Sequence, residues 1–321
     1  MKKGTAVWLI TAGALILVGA MIFAGGMTAL NWNFMKLSTT KLVTNEHVPK
    51  EEFVGISISG GTADVSILPS EDGETRIVST EYENAPYAVE VKDGVLSVEL
   101  RDARKWYEYI GINFESPSVT VYLPKGEYGA FSVALNTGDL TVSEGYLFEA
   151  VAISATTGDI DVRSSAKGEM TVSVNTGDVS VGSASMESLS LAVSTGTVRV
   201  KDVTVAGKVS LKVSTGKARL ETLRCGSFSS TGDTGDLTLV DVIADGMISV
   251  ERSTGNVGLE RCDAAELSVL TDTGDVRGTL LSEKVFIVNT DTGRKDVPES
   301  TEGGKCKITT DTGDVVFRIE K

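Results

Sequence analysis

The chain has 321 residues, of which 34 are glycine and only 6 proline, and aromatic side chains make up 6%. That mix suits many short strands joined by tight turns and disfavours a helical globule. Residues 1–36 hold Lys2, Lys3 and Lys36 and no acid, so the remainder carries 27 basic (30 − 3) and 44 acidic residues, a net of −17. Such a charge excludes electrostatic capture of nucleic acid or of anionic headgroups. Two readings of the acidity stay open: a surface that keeps an exported protein soluble, or one that collects cations or a basic partner.

Residues 1–6 read as a cytoplasmic N-terminus and residues 7–30 as a transmembrane signal anchor. No charge occurs between Lys3 and Lys36, and Val7–Leu30 is VWLITAGALILVGAMIFAGGMTAL. As a helix those residues would span about 36 Å, enough to cross a ~30 Å hydrocarbon core with some tilt. Lys2 and Lys3 predict a cytoplasmic N-terminus and an extracytoplasmic remainder, and Trp8 and Trp32 fall where aromatic belts sit. A cleaved signal peptide is the competing reading. Its apolar core would be shorter, and no A-x-A site follows a segment of that length.

Residues 31–52 are polar and predict a stalk. From Phe53 alternation begins, with FVGISISGGTADVSILP, TRIVSTEY, AVEVKDGVLSVELRD and PSVTVYLPKGEYGAFSVAL. Period-2 alternation is the mark of strands with one buried face. Ser59-Gly60-Gly61-Thr62-Ala63-Asp64-Val65 has the form of a degenerate first coil, and Asp93-Gly94 predicts a hairpin turn. Residues 53–130 are therefore expected to start and cap the array that follows. The aromatics Tyr82, Tyr87, Trp106, Tyr107, Tyr109, Phe114, Tyr122 and Tyr128 concentrate here. They predict a plug for an open end, with a ligand-binding loop at 104–114 as the alternative.

Residues 131–321 are dominated by a repeat. Thr-Gly recurs at Gly138, Gly158, Gly177, Gly196, Gly216, Gly235, Gly255, Gly274, Gly293 and Gly313, with spacings of 19 or 20 throughout. A fixed period near 20 marks a solenoid. Five and seven residues before each glycine, and two and four after it, the residue is almost always apolar. Each coil is thus expected to hold two principal strands about Thr-Gly and a looser second corner. Ten coils stacked about 4.8 Å apart make a rod roughly 48 Å long. Residues 294–305, with Lys295 in a core column and Pro298 nearby, predict a distorted coil or bulged loop.

Chemistry-bearing motifs mostly dissolve into this register. Cys225, Cys262 and Cys306 fall in or beside apolar columns, and the first two lie about 9.6 Å apart by stacking, beyond the ~7 Å reach of a disulfide. They are expected to be buried fillers, and the only histidine, His47, lies far off in sequence. Asp-Thr-Gly at Asp233, Asp272, Asp291 and Asp311 has the opening of an aspartic-protease signature. It is followed here by Asp or Arg, and other coils place Asn, Thr or Ser at the same spot, so turn chemistry accounts for it. The acids after glycine (Asp139, Asp159, Asp178, Asp236, Asp275, Asp314) could line an edge for calcium, but Thr197, Lys217, Asn256 and Arg294 interrupt them. No phosphate loop, zinc spacing or basic nucleic-acid patch occurs. The expectation is no catalytic residues, no metal and no cofactor.

The basic-apolar N-terminus, the F-x-x-I-x-I start, the strand Val119–Pro124 and the tandem T-G-D-[VIL]-x-V coils resemble bacterial "putative adhesin" proteins of unknown function, of the LiaG and YvlB envelope type. The resemblance covers roughly residues 50–321. It implies an all-β, single-stranded right-handed β-solenoid outside a membrane, with no catalytic residues to carry over. Two functions follow as expectations. One is a non-enzymatic adhesion or binding module of the cell envelope, touching cell wall, another cell or a protein through its repetitive flank. The other is an accessory protein of an envelope-stress response, acting through a membrane complex.

Overall fold

The computed structural model describes residues 3–34, 41–102, 104 and 116–320. One helix, α1 (Lys3–Ala29), is followed by strands that stack into a β-solenoid of about ten turns. Val7–Ala29 of α1 is long and apolar enough to cross a membrane, and none of its most apolar window is buried against protein.

A coil is best seen from Thr-Gly196 onward. Val198–Thr215 is one continuous run in which inward and outward side chains alternate. Val198, Val200, Val203, Val205, Val209, Leu211 and Val213 all point inward and are at most 1% exposed. Burying each stabilises the fold by about 1.5–3 kcal/mol. The alternation breaks at Lys201-Asp202, and this break makes a corner. Asp202 has a φ of 55°, and Ser183, Thr222, Asp241 and Arg261 hold the same conformation one or more coils away. Asp, whose short polar side chain can hydrogen-bond locally, tolerates the left-handed region better than β-branched residues, which explains Asp202 and Asp241, two of the five.

The sequence expectation of two principal strands per coil therefore needs a third, short side, which in this coil carries Val203 and Val205. That side is too brief for alternation alone to separate it from its neighbours.

The Thr-Gly corner is tighter. Gly196 has a φ of 151°, and a Cβ placed there would lie 1.9 Å from the Gly177 carbonyl oxygen. The corner stacks backbone directly on backbone, and only glycine permits both the torsion and the approach.

At the N-terminal end, β1 (Leu42–His47), β2 (Gly55–Gly61), β3 (Asp64–Pro69), β4 (Arg76–Tyr82), β5 (Tyr87–Lys92), β6 (Val95–Leu100), β7 (Ser118–Leu123), β8 (Gly126–Thr137) and β9 (Leu140–Val142) come in chain order. Their stacking order differs. β2 lies between β6 and β8, and β3 between β7 and β9, all parallel. The first coil in sequence is thus a middle rung. Ala63 occupies its glycine position, since a Cβ on Gly138 would meet the Ala63 carbonyl oxygen at 2.2 Å, in keeping with a degenerate coil.

Antiparallel strands close this end: β5 lies on β6, β4 on β7, and β1 on β4. The β5–β6 hairpin turns at Asp93-Gly94, with φ of 51° and 74°, as its sequence predicts. The sequence does not predict β1. It lies within the 31–52 stalk, where its residues Thr44, Asn45 and Glu46 read as plain polar linker.

The C-terminal end mirrors this arrangement. The strand Gly304–Thr312 inserts between Val257–Thr273 and Lys284–Thr292, and pairs in parallel with both. The last coil in sequence is again interior, and the 284–296 coil is the outermost rung. Residues 294–305 are therefore the connection that lets the chain double back, more than a local bulge.

Candidate functional site

The acids after glycine form a structural ladder. The Asp139 Oδ1 accepts the backbone N–H of Asp159 at 2.8 Å, and Asp159 does the same for Asp178 at 2.7 Å. Asp178 then accepts from Thr197 at 2.8 Å, and Asn256 takes the acid's place between Asp236 and Asp275. At the C-terminal end the ladder follows the stacking order, with Asp314 donating to Asp275 and Arg294 donating to Asp314. Each carboxylate thus holds a corner N–H of the next rung. At Asp178, burial tends to raise the carboxyl pKa, but the Thr197 N–H and the Arg199 guanidinium at 3.1 Å outweigh it, and the net shift is down. Among the described residues no three acids, histidines or cysteines converge on a point that could hold a metal ion.

The three thiols are interior. Cys225 is 5% exposed and lies between Val205 and Ala244, while Cys306 is flanked by Leu267 and Phe286. Burial pushes Cys225 and Cys262 up to about 11 and Cys306 up to about 12, so all three stay protonated and unreactive at neutral pH. His47 sits on β1 opposite Ile77. The Asp-Thr-Gly acids Asp233, Asp272, Asp291 and Asp311 are exposed, one to a coil.

Of the aromatics, Trp106, Tyr107, Tyr109 and Phe114 lie outside the described residues. Tyr87 is 4% exposed and its hydroxyl donates to the Gly60 carbonyl at 2.5 Å. Tyr128 stacks on Phe53 with ring centroids 6.4 Å apart and packs on Phe148. These contacts tie the cap to the first rungs.

Two buried polar groups escape a reading of the sequence. Glu81, 2% exposed, accepts from Asn45 Nδ2 at 2.5 Å and from the Tyr87 N–H at 2.9 Å, fastening β1 to the cap. Arg252, 3% exposed, reaches back over Gly232 to donate to Ser230 Oγ at 2.8 Å and to the Val213 carbonyl at 3.3 Å. This explains why Ser230 replaces an apolar residue in its column. Burial lowers the Arg252 pKa, with the nearby Asp233 charge opposing.

The remaining feature is the outer flank of the strands that precede Thr-Gly. Ser132, Ala152, Thr171, Ser190 and Ser210 form one outward column, paired rung to rung. Ala134, Ser154, Ser173, Ala192 and Lys212 form the next, and Asn136, Thr156, Asn175, Ser194 and Ser214 a third. Together with the threonines of Thr-Gly, these twenty positions over five coils include one charge, Lys212. A shallow trough of about 490 Å³ runs along the second and third columns. The flank after Thr-Gly is different in kind, with ion pairs such as Arg163–Asp161 at 3.2 Å and Arg199–Asp178. The signal is present in the sequence as alternating Ser, Thr and Ala. It reads there only as the polar half of a strand pattern.

These features define a repetitive β-solenoid carrying one apolar helix fit to serve as a single-pass membrane anchor. Residues 54–224 match the Toastrack DUF4097 family, and the chain belongs to it. Among solved structures, a "putative lipid binding protein" of Parabacteroides distasonis is 15% identical over 75% of this chain and 98% of its own, with a TM-score of 0.50. A "putative adhesin" of Parabacteroides merdae is 14% identical over 88% of this chain and 98% of its own, TM-score 0.47. Another, from Bacteroides fragilis, is 18% identical over 75% and 98%, TM-score 0.40. No curated protein matches the chain. The adhesin-like kinship expected from the coil motifs is borne out.

Proposed function

We propose that the protein is a non-enzymatic adhesion or binding module of the bacterial cell envelope, anchored by α1 with its solenoid outside the membrane. The observation that carries this reading is the flat flank of Ser, Thr, Ala and Asn on an otherwise acidic rod. A neutral surface with hydroxyls repeating about every 4.8 Å suits a neutral, hydroxyl-rich polymer such as a cell-wall glycan. Charged ligands would meet no partner there except Lys212.

The test is sedimentation of the full-length protein in membrane vesicles with purified cell wall. Ala192→Glu with Ser173→Glu is expected to reduce co-sedimentation at least tenfold. A matched pair on the opposite flank, Ser180→Glu with Thr141→Glu, is expected to leave it unchanged. Equal loss from both pairs, or from neither, would refute the flank as the binding surface.

A second reading, an accessory role in an envelope-stress response through a membrane complex, is supported by the bare helix. Gly19, Gly25 and Gly26 have no neighbour within 4 Å of an added Cβ. The spacings Ala20 with Ala24 and Gly25 with Ala29 would let another helix approach closely.

A further inference from the structure

The two ends of the rod are finished differently. At the N-terminal end the outer strands carry charge along their length: Glu90 and Lys92 on β5, Glu46 on β1. Inline charges of this kind discourage a second chain from pairing with an exposed edge. At the C-terminal end the outermost strand is Lys284–Thr292, and among the described residues nothing pairs with its outer side. Residues 285–290, Val-Phe-Ile-Val-Asn-Thr, contain no charge and no proline. The Lys284 charge is spent inward, on Asp263 Oδ1 at 2.7 Å. Ile287 is 47% exposed and Phe286 half-buried, whereas Cys306 and Phe317 on the rung beneath are fully buried.

We propose that this edge is an interface between two copies of the chain, joined tip to tip by antiparallel pairing of residues 284–290 about a twofold axis. Three observations select this occupant. The unpaired N–H and C=O groups of the edge are matched only by another strand. Head-to-tail stacking is blocked, because the far end of the rod is closed by antiparallel strands bearing charges. The edge is also self-complementary: with Ile287 opposite its own copy, Phe286 faces Val288 and Val285 faces Asn289, so inward residues meet inward residues across 285–289, and the first like charges to oppose, Glu283 and Asp291, are exposed and lie beyond that uncharged run. The rung is short, and Phe286, which packs on Phe317 with ring centroids 5.6 Å apart and lines a hollow with residues 297–302, stays only half-buried in the single chain.

The anchor enters the solenoid at the capped end, so the tip is the end remote from it. Tip pairing therefore links two anchored copies end to end. It stands apart from glycan binding by the flank, and either can fail without the other.

The experiment is oxidative cross-linking of the full-length protein in mild detergent. Because Cys225, Cys262 and Cys306 are buried, Ile287→Cys adds the one accessible thiol among the described residues, and it is expected to give a disulfide-linked dimer. Val285→Cys alone is expected to link at least tenfold less, and Val285→Cys mixed with Asn289→Cys to restore linking between the two. Ile287→Lys is expected to abolish dimers in sedimentation while leaving the circular dichroism spectrum unchanged. Dimers that survive Ile287→Lys, or equal linking at positions 285 and 287, would place the contact elsewhere, in the anchor for example, and overturn the proposal. A monomer that forms no cross-link with Ile287→Cys would overturn it as well.

Discussion

At the residue scale, stability turns on a few positions where backbone meets backbone. Gly196→Ala puts a methyl group 1.9 Å from a carbonyl oxygen at a φ that L-residues rarely adopt. It is expected to cost at least about 3 kcal/mol, seen as a large fall in the midpoint of urea unfolding. Gly182→Ala is the control, since its nearest atom would be 3.6 Å away, and it is expected to change stability by less than about 1 kcal/mol. Arg252 poses a different question. Arg252→Ala leaves Ser230 and the Val213 carbonyl without their donor and opens a cavity, for a loss of about 2–4 kcal/mol. Replacing the pair together, Arg252→Leu with Ser230→Val, restores the apolar column and is expected to be neutral or stabilising. If the double substitution is as damaging as Arg252→Ala, the guanidinium has a role beyond filling space.

At the scale of the element, much of the coil is legible in the sequence. Thr-Gly spacing, inward columns and the fate of the cysteines all follow from a period of 19 or 20 and an alternation of 2. What escapes is what periodicity does not encode. The corner at Asp202 is occupied in other coils by Ser, Thr and Arg, so no residue type marks it. β1 is hidden because its partner Glu81 is a lone acid whose burial depends on Asn45, thirty-six positions earlier. The flank is visible as small polar residues, but its neutrality matters only once coils are stacked.

Non-sequential stacking is illegible for the same reason, since columns look alike in either order. It has a direct consequence. A chain ending at residue 303 loses an interior rung, and Lys284–Thr292 loses the strand it pairs with. Limited proteolysis is expected to cut within 281–303 of that truncated chain, although every residue there is still present. Protection of that segment would mean the coils stack in chain order. The same end carries a pH dependence. Burial of Asp263 tends to raise its pKa, but the Lys284 ammonium and the Ser282 hydroxyl outweigh it and hold the carboxyl below its usual range. A depressed carboxyl contributes stability above its unfolded pKa of about 3.9 and loses it as pH falls through the folded value. Thermal midpoints should be flat from about pH 5 to 8 and fall below about pH 4, and Asp263→Asn should flatten part of that fall.

At the scale of the whole molecule, the protein is an acidic rod with one neutral flank, one closed end, one open end and an apolar helix joined at the closed end. The columns of the interior absorb the cysteines, and the corner ladder absorbs the acids that follow glycine, which leaves the flank and the tip as the surfaces on which the proposed binding rests. The central claim is that binding belongs to the solenoid and that the helix serves as a tether. Exchanging residues 1–30 for an unrelated single-pass anchor, and measuring binding of whole cells or vesicles to cell wall, tests it most directly. The account predicts that the exchanged protein binds as well as the parent and that Ala192→Glu with Ser173→Glu abolishes binding on either anchor. Loss of binding on exchanging the anchor, with the flank variant unaffected, would contradict it.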